Sequence, residues 1–281
     1  MEATRAPVML AKYGLAASRR RGQNFLVDGN VARKVVSAVG ASADDVVVEI
    51  GSGFGAITFG LADSARRVIA VEIDAGIVRA FRDEYGDAER ITLVKGDFLE
   101  FDIEGAAGEW GVQRLVVAGN LPYNVTSPVI RRLIEHKTVV PRAVLMVQAE
   151  VGARITAGPG VKDYSALSAV IQYHAAVRSL FTVRRTCFHP RPLVDSRVVE
   201  IDFGGAPARN SDPGAYSDVV HAAFQKRRKM LRQSIAGLMS QVGLSTDELE
   251  ARTGLDLARR GETLAVEEFD VLACLLAPGR A

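Results

Sequence analysis

Short runs of Val and Ile alternate with longer amphipathic segments between about residues 46 and 203. Runs of this length predict buried strands, and the segments between them have helical spacing, as in the stretch from Pro128 to His136. Such alternation is typical of a mostly parallel sheet covered by helices. We therefore predict an α/β fold with strands at Val46–Ile50, Val68–Glu72, Thr92–Val94, Leu115–Ala118, Val144–Val147 and Val198–Asp202.

The pattern changes after Phe203. Residues 204–207 and 210–214 are rich in Gly, Pro, Asn and Asp, which is the composition of a linker, and a helical pattern follows from Tyr216 onward. A chain of 281 residues has room for one α/β domain and a smaller appendage. The prediction is a Rossmann-like α/β domain at residues 1–204 and a small helical domain at 205–281.

Composition narrows the class of protein. The chain is 48% hydrophobic and 24% charged, has no apolar run near the roughly 20 residues of a membrane span, and begins without the apolar core of a signal peptide. We therefore expect a cytoplasmic protein that does not enter a membrane. The four histidines lack metal-ligand spacing, so no metal is proposed, and Cys187 and Cys274 are expected to be buried apolar side chains.

Basic residues gather in three blocks, although the formal net charge is only +2. Separate basic blocks on a nearly neutral chain predict one phosphate-binding face. The alternative for each block is ordinary solvated surface charge. The blocks are Arg19, Arg20 and Arg21; Arg184, Arg185, Arg191 and Arg197; and Lys226, Arg227, Arg228, Lys229 and Arg232.

A glycine-rich turn follows the first long predicted strand. Val46–Ile50 runs into Gly51-Ser52-Gly53-Phe54-Gly55-Ala56, and a helix is predicted next. Glycines at such a turn let a ligand approach the backbone, and a helix N-terminus offers unpaired N–H groups, so the turn predicts a nucleotide-type ligand. The turn alone leaves a dinucleotide open, because Glu72 stands where a ribose-binding acid belongs.

Three further features favour S-adenosylmethionine as the ligand. Glu49 lies two residues before Gly51, which resembles the first motif of Rossmann-like methyltransferases. Gly96-Asp97-Phe98 offers a carboxylate to an adenine amine and an aromatic ring to the base. The alternative for Glu72 and Asp97 is that each is an ordinary acidic residue in the turn that follows a strand. The fourth strand ends in Asn120-Leu121-Pro122-Tyr123, and the carboxyl ends of successive strands form the ligand crevice of an open α/β sheet.

The Asn-Leu-Pro-Tyr segment resembles the box of methyltransferases that modify exocyclic amines. The lone pair of the adenine N6 amine is delocalised into the ring, so the amine is a poor nucleophile. If the Asn120 side-chain oxygen and the Leu121 or Pro122 carbonyl accept its two N–H bonds, the lone pair is localised towards the methyl group. Tyr123 can stack on the base, which must be unpaired or flipped to enter. The alternative is a plain turn leaving a strand.

The ordered series of motifs resembles the small-subunit (16S) ribosomal RNA adenine N6,N6-dimethyltransferase family over nearly the whole chain. Besides the segments above, the series includes Arg21–Leu26, Val71–Asp74, Val147–Val151, Phe188–Ser196 and Phe224–Lys229. The resemblance implies a seven-stranded methyltransferase sheet with a C-terminal helical domain. It implies dimethylation of two neighbouring adenosines in the 3′-terminal hairpin loop of 16S ribosomal RNA.

Residue roles follow from the resemblance and from the residue types. Asn120, Leu121, Pro122 and Tyr123 are the expected catalytic residues. The cofactor contacts expected are Asn24, Leu26, Gly51, Gly53, Glu72, Asp97, Phe98 and Asn120. The expected RNA contacts are Arg19, Arg20, Arg21, Phe188, Arg191, Lys226, Arg227, Arg228 and Lys229, with Phe188 equally suited to a core position. The expected partner is 16S ribosomal RNA in an immature 30S particle, bound by a monomer.

Three alternatives differ in class. Antibiotic-resistance methyltransferases that act on large-subunit RNA share the glycine turn and the Asn-x-Pro-Tyr box, but the Gly22–Leu26 and Phe188–Ser196 segments favour the small-subunit group. A ribosome-assembly factor that lost catalysis would not need Glu72, Asp97 and Asn120. A nicotinamide oxidoreductase would reveal itself by the absorbance of its bound cofactor.

Overall fold

The computed structural model describes residues 6–18, 20–86, 88–122, 125–226 and 228–277. The chain forms two compact units. The first holds the residues up to Gly152 together with Arg178–Gly204, and the second holds Ala153–Val177 together with the residues from Gly205 onward. The segment 153–177 therefore belongs with the C-terminal helices, whereas the sequence pattern groups it with the sheet.

The described residues up to Gly204 contain the strands and eight α-helices. In chain order these are α1 Ala6–Lys12, β1 Phe25–Leu26, α2 Gly29–Val39, β2 Val46–Ile50, α3 Thr58–Ser64, β3 Arg67–Glu72, α4 Ala75–Tyr85, β4 Ile91–Lys95, α5 Ile103–Glu109, β5 Leu115–Asn120, α6 Thr126–Glu135, β6 Arg142–Gln148, α7 Ala149–Ile155, α8 Ala166–His174, β7 Ala176–Val183, β8 Phe188–His189 and β9 Ser196–Asp202. The end of α7, all of α8 and the start of β7 belong to the second unit, and the other elements belong to the first.

Seven strands form one sheet in the order β4-β3-β2-β5-β6-β9-β7. The strands from β4 to β6 are parallel, and β9 runs antiparallel to β6. The end of β2 lies between its two neighbours, because Ile50 is opposite Val71 of β3 and Gly119 of β5. The chain order reverses direction between β2 and β5, which places a ligand crevice at their carboxyl ends.

All six predicted strands are present; Val46–Ile50 has the predicted bounds, and the other five are longer by one or two residues at one or both ends. The strand β7 was not predicted, because its exposed positions at the sheet edge hide the apolar pattern. The two-residue pairing of β1 with β8 is too short to have a pattern. Helix α6 begins at Thr126 rather than Pro128, since proline is tolerated in the first turn of a helix.

The second unit is helical. Its C-terminal part contains α9 Pro213–Gln225, α10 Leu231–Ser234, α11 Ala236–Val242, α12 Thr246–Thr253 and α13 Val266–Leu276. Tyr216 is almost fully buried beside Tyr173, and their ring centroids lie 3.9 Å apart. Helix α9 begins inside the predicted linker, because Asp212 accepts a hydrogen bond from the Ala215 N–H as N-cap and Pro213 suits the first helical position.

The cysteine prediction is wrong for both residues. Cys187 is only partly buried, and Cys274 is exposed on α13. The helical pattern around Cys274 places it on the side of α13 away from the buried face formed by Phe269, Leu272 and Ala273. Within the described ranges, no helix has the length and apolar character needed to cross a lipid bilayer.

Candidate active site

A cavity of about 270 Å³ opens at the carboxyl ends of β2, β3 and β5, in the first unit. Buried strands place these ends at one edge, so residues distant in the chain meet there. The cavity is lined by every described residue that the sequence assigns to the cofactor or to catalysis, namely Asn24, Leu26, Gly51, Gly53, Glu72, Asp97, Phe98, Asn120, Leu121 and Pro122. Tyr123 lies outside the described residues.

The glycine turn has the conformation that its composition predicts. Gly51 and Gly53 have φ angles of +76° and +51°, a region that L side chains rarely adopt. A Cβ atom at Gly51 would meet nothing within 4 Å, so its backbone faces open space. Helix α3 begins only at Thr58 and has 7 residues, so it does not follow the glycines directly as the sequence pattern predicted. The backbone of the turn, and not a long helix, borders the ligand space.

Glu72 ends β3 and is held beside the glycine turn. Its Oε2 accepts a hydrogen bond from the Gly53 N–H at 3.0 Å, and its Oε1 accepts one from the Asp74 N–H at 2.9 Å. Burial raises the pKa of this carboxyl, while those two backbone donors and Arg21 lower it and Asp74 adds to the rise. Each oxygen keeps a second lone pair, because a backbone donor occupies only one.

Asp97 and Phe98 follow β4 at the next position of the cavity wall. Asp97 is half-buried, and its Oδ1 accepts a hydrogen bond from the Leu99 N–H at 2.9 Å. This bond fixes the carboxylate at the start of a short 3₁₀ turn. Phe98 is almost fully buried, and its ring lies 6.4 Å from that of Phe101. An acceptor and an apolar surface are therefore held side by side.

Asn120 and the residues after it close the opposite side of the cavity. The Asn120 Nδ2 donates a hydrogen bond to the carbonyl oxygen of Asn24 at 3.0 Å. This contact assigns the amide nitrogen to Asn24 and turns the Oδ1 acceptor away from it. The Leu121 N–H donates to the Met146 carbonyl at 2.9 Å, and the Pro122 carbonyl accepts from the Val125 N–H at 3.2 Å. The turn is thus braced by the neighbouring strand β6.

The N-terminal segment forms one wall of the cavity, and sequence reasoning missed the residue that holds it there. Asp74 forms an ion pair with Arg21 and accepts a hydrogen bond from the Gln23 Nε2 at 3.1 Å. Its Oδ1 also caps α4 by accepting from the Gly76 N–H at 2.9 Å. Hydrogen bonds from Gln23, from that N–H and from the Ile77 N–H, together with the charge of Arg21, outweigh burial and lower the pKa of Asp74. The sequence feature that could have identified Asp74 is its position in the Val71–Asp74 motif.

The residues expected to contact RNA occupy several environments. Arg20 and Arg191 are exposed, whereas exposed Arg21 is already paired with Asp74. Phe188 is 5% exposed, pairs with Leu26 across β1 and β8, and borders the cavity. Lys226, Arg228 and Lys229 are exposed in the second unit, just after α9. Arg19 and Arg227 lie outside the described residues.

A family model described as ribosomal RNA adenine dimethylase matches residues 15–270. The protein named ribosomal RNA small subunit methyltransferase A of Moorella thermoacetica is 40% identical to this chain over 272 residues, which cover 94% of each chain. The protein of the same name from Geobacter sulfurreducens is 39% identical, over 95% of this chain and 98% of its own.

Two solved structures share the fold. A dimethyladenosine transferase from Plasmodium falciparum has a TM-score of 0.72 and 22% identity, covering 87% of this chain and 94% of its own. The 23S rRNA methyltransferase ErmE has a TM-score of 0.71 and 22% identity, covering 90% of this chain and 99% of its own. At such identity the likeness shows the fold alone, and it confirms the predicted class: a Rossmann-like methyltransferase sheet with a C-terminal helical region.

Proposed function

The chain belongs to the ribosomal RNA adenine dimethylase family, and from this premise we propose that it dimethylates the N6 amines of two adjacent adenosines. It is an S-adenosylmethionine-dependent methyltransferase, and its target is the 3′-terminal hairpin loop of 16S ribosomal RNA during small-subunit maturation. One observation carries the proposal. Asn120 at the end of β5, and Leu121 and Pro122 just after it, line the same cavity as the glycine turn, Glu72 and Asp97.

The cavity residues fit a sulfonium nucleoside. The free lone pairs of Glu72 suit ribose hydroxyls, the Asp97 carboxylate suits the adenine amine, and the open space at Gly51 lets a ligand approach the backbone. When bound, the cofactor supplies an electrophilic methyl group and a leaving group that becomes neutral. We assign further cofactor contacts to Asn24, Leu26, Gly53, Phe98 and Asn120.

The chain's own part in the chemistry is to orient an amine. Because the Asn120 Nδ2 is bound to the Asn24 carbonyl, its Oδ1 is available to accept one N6–H bond, and the Leu121 or Pro122 carbonyl accepts the other. These acceptors are held before the base arrives, and such preorganisation lowers the barrier. Tyr123 stacks on the base in this proposal. A strong general base is not needed, since the proton is lost readily once nitrogen carries the new methyl group.

The RNA contacts are assigned to exposed basic residues in each unit. In the first unit they are Arg19, Arg20, Arg21 and Arg191, with Phe188 at the cavity wall. In the second they are Lys226, Arg227, Arg228 and Lys229. We propose that residues 1–204, apart from Ala153–Val177, which belong to the second unit, form the catalytic domain and that residues 205–281 form an accessory RNA-binding domain. We propose further that the protein acts as a cytoplasmic monomer on an immature 30S particle.

The test is methylation of undermethylated small-subunit particles. Purified protein and S-adenosylmethionine are incubated with the particles, and the RNA is digested and analysed by mass spectrometry. We expect dimethyladenosine at two adjacent positions near the 3′ end of 16S RNA. The Asn120→Ala variant should lose it, whereas Asn30→Ala, which changes an exposed asparagine outside the cavity lining, should retain it. Methylation only of large-subunit RNA would show that the protein acts like the antibiotic-resistance methyltransferases. Absence of any methylation would overturn the proposal.

A further inference from the structure

Glu49 is a buried carboxyl group that the proposed methyl transfer does not use. It lies in the middle of the sheet on β2, opposite Ala70 of β3 and Ala118 of β5, and is 1% exposed. Glu49 is one of the residues that line the ligand cavity. Among the described residues, neither its Oε2 nor the Thr58 hydroxyl finds a hydrogen-bond partner. A buried polar oxygen left in this state costs free energy unless a ligand completes it.

The surroundings of Glu49 favour its neutral form. Burial raises the pKa of this carboxyl to about 8, the dipole of the neighbouring Thr58 hydroxyl opposes the rise, and the charge of Glu72 adds to it. Glu72, at the end of β3, is the charged group that acts on Glu49, and Glu72 is in turn affected by the charges of Asp74 and Arg21. The residues opposite Glu49 on both neighbouring strands are alanines, which carry no charge. A pKa of about 8 favours the protonated form of Glu49 at neutral pH in the free protein.

We propose that Glu49 is the counter-charge for the positively charged methionine part of the cofactor, neutral in the free protein and ionised in the complex. The inference rests on the proposed function. S-adenosylmethionine carries an ammonium, a sulfonium and a carboxylate, for a net charge of +1. Binding breaks only the Glu49 O–H bond, and the proton goes to solvent. The cation of the bound cofactor thus replaces the proton that Glu49 loses, so the cavity buries no unpaired ion either before or after binding.

The size of the effect follows from charge pairing. An opposite charge within a few ångströms lowers a carboxyl pKa by about 1–3 units, so the Glu49 proton should leave near neutral pH on binding. The ligand binds the ionised form, so affinity for S-adenosylmethionine should rise with pH and become constant above the free-protein pKa of about 8. Within that range the rise approaches about tenfold per pH unit. In this proposal Glu72 contacts the ribose of all three ligands. Any proton that Glu72 gains or loses on binding is therefore the same for each ligand and cancels when they are compared.

The experiment is titration calorimetry of the whole protein near pH 7 in two buffers with different ionisation enthalpies, which gives the number of protons released. Three ligands that differ in their positively charged groups are compared. S-adenosylmethionine has both cations, S-adenosylhomocysteine keeps only the ammonium, and 5′-methylthioadenosine has neither. We expect release of most of one proton with S-adenosylmethionine and none with 5′-methylthioadenosine. If S-adenosylhomocysteine also releases a proton, the ammonium is the partner of Glu49. If it releases none, the sulfonium is the partner, and either result supports the proposal.

Two variants complete the test. Glu49→Gln keeps the shape and the neutral form, so it should bind the ligands without proton release. Glu100→Gln removes an exposed carboxyl outside the cavity lining and should release protons as the wild type does. Equal release with all three ligands, undiminished release in Glu49→Gln, or no release from the wild type would each overturn the inference.

The outcomes also separate the inference from the function on which it rests. If Glu49→Gln fails to fold, the ligand series on the wild-type protein decides by itself. S-adenosylmethionine binding and RNA methylation without proton release would overturn the role of Glu49 alone. Absence of any S-adenosylmethionine binding would overturn both.

Discussion

Replacing Glu49 by Gln should make the free protein more stable at alkaline pH than the wild type. The folded-state pKa of Glu49 is about 8, against an ordinary value of 4.5. A carboxyl with a raised pKa contributes stability that is fully present below its unfolded pKa and is lost as pH rises through the folded value. Glutamine carries no charge at any pH, so the variant should not lose this contribution.

The magnitude follows from the two pKa values. Between about pH 5 and pH 8 the folded chain holds almost one proton more than the unfolded chain, and each pH unit then costs about 1.4 kcal/mol. The wild type should therefore lose about 3 kcal/mol relative to Glu49→Gln over this range. Other titrating groups, including Glu72, change both proteins alike to first order, so the difference between them isolates Glu49.

Urea unfolding followed by tryptophan fluorescence measures this difference. Trp110 is the single tryptophan of the chain and lies in the first unit, so the signal reports on the unit that contains Glu49. The Glu100→Gln variant serves as the control and should follow the wild type at every pH. A constant difference between wild type and Glu49→Gln from about pH 5 to pH 8 would show that the pKa of Glu49 is not raised in the folded protein.

Four further outcomes are expected. Glu72→Ala should weaken S-adenosylmethionine binding by about 1.5–3 kcal/mol, and unchanged calorimetric affinity would count against its ribose role. Asn120→Ala should weaken cofactor binding at most but lose most single-turnover methyl transfer, and near wild-type rates would contradict the role of Asn120 in orienting the amine lone pair. Asp74→Ala should lower the free energy of unfolding by about 1–2 kcal/mol, whereas Asp74→Asn, which removes the Arg21 ion pair but keeps the helix cap, should lose less; equal losses would show that the cap contributes nothing measurable. Alanine at Lys226–Lys229 should reduce the salt dependence of RNA binding by about 0.7–0.9 per lost phosphate contact without changing cofactor affinity, and an unchanged slope would remove this segment from the RNA surface.

The strands that carry the site could be predicted because their sequence pattern is strong. Val46, Val47 and Val48 are fully buried. A short continuous run of apolar residues is typical of a parallel strand that is covered on both faces of the sheet, so the pattern predicts this strand directly. By contrast, β7 at the sheet edge is mostly exposed and escaped prediction. The segment 153–177 also misled the boundary reasoning, because a helical pattern shows which face is apolar and not which partner covers it.

The motif residues were identified from the sequence, but their hydrogen-bond partners were not. Asn120 finds the Asn24 carbonyl 96 residues away, and Gln23 finds Asp74 51 residues away. Nothing local in the chain specifies such pairs. Arg21 illustrates the consequence, because its sequence context indicates a phosphate contact while the folded chain pairs it with Asp74.

Six of the strands, including the four that carry the site, could be predicted from the chain alone, together with the family and the residue types at the carboxyl ends of β2, β3, β4 and β5. These follow from local periodicity and turn chemistry, which act over a few residues. Packing sets which of those ends face one cavity, which N-terminal residues wall it, and the burial that raises the pKa of Glu49 to about 8. Burial and long-range pairing set these properties, and both depend on packing between segments far apart in the chain.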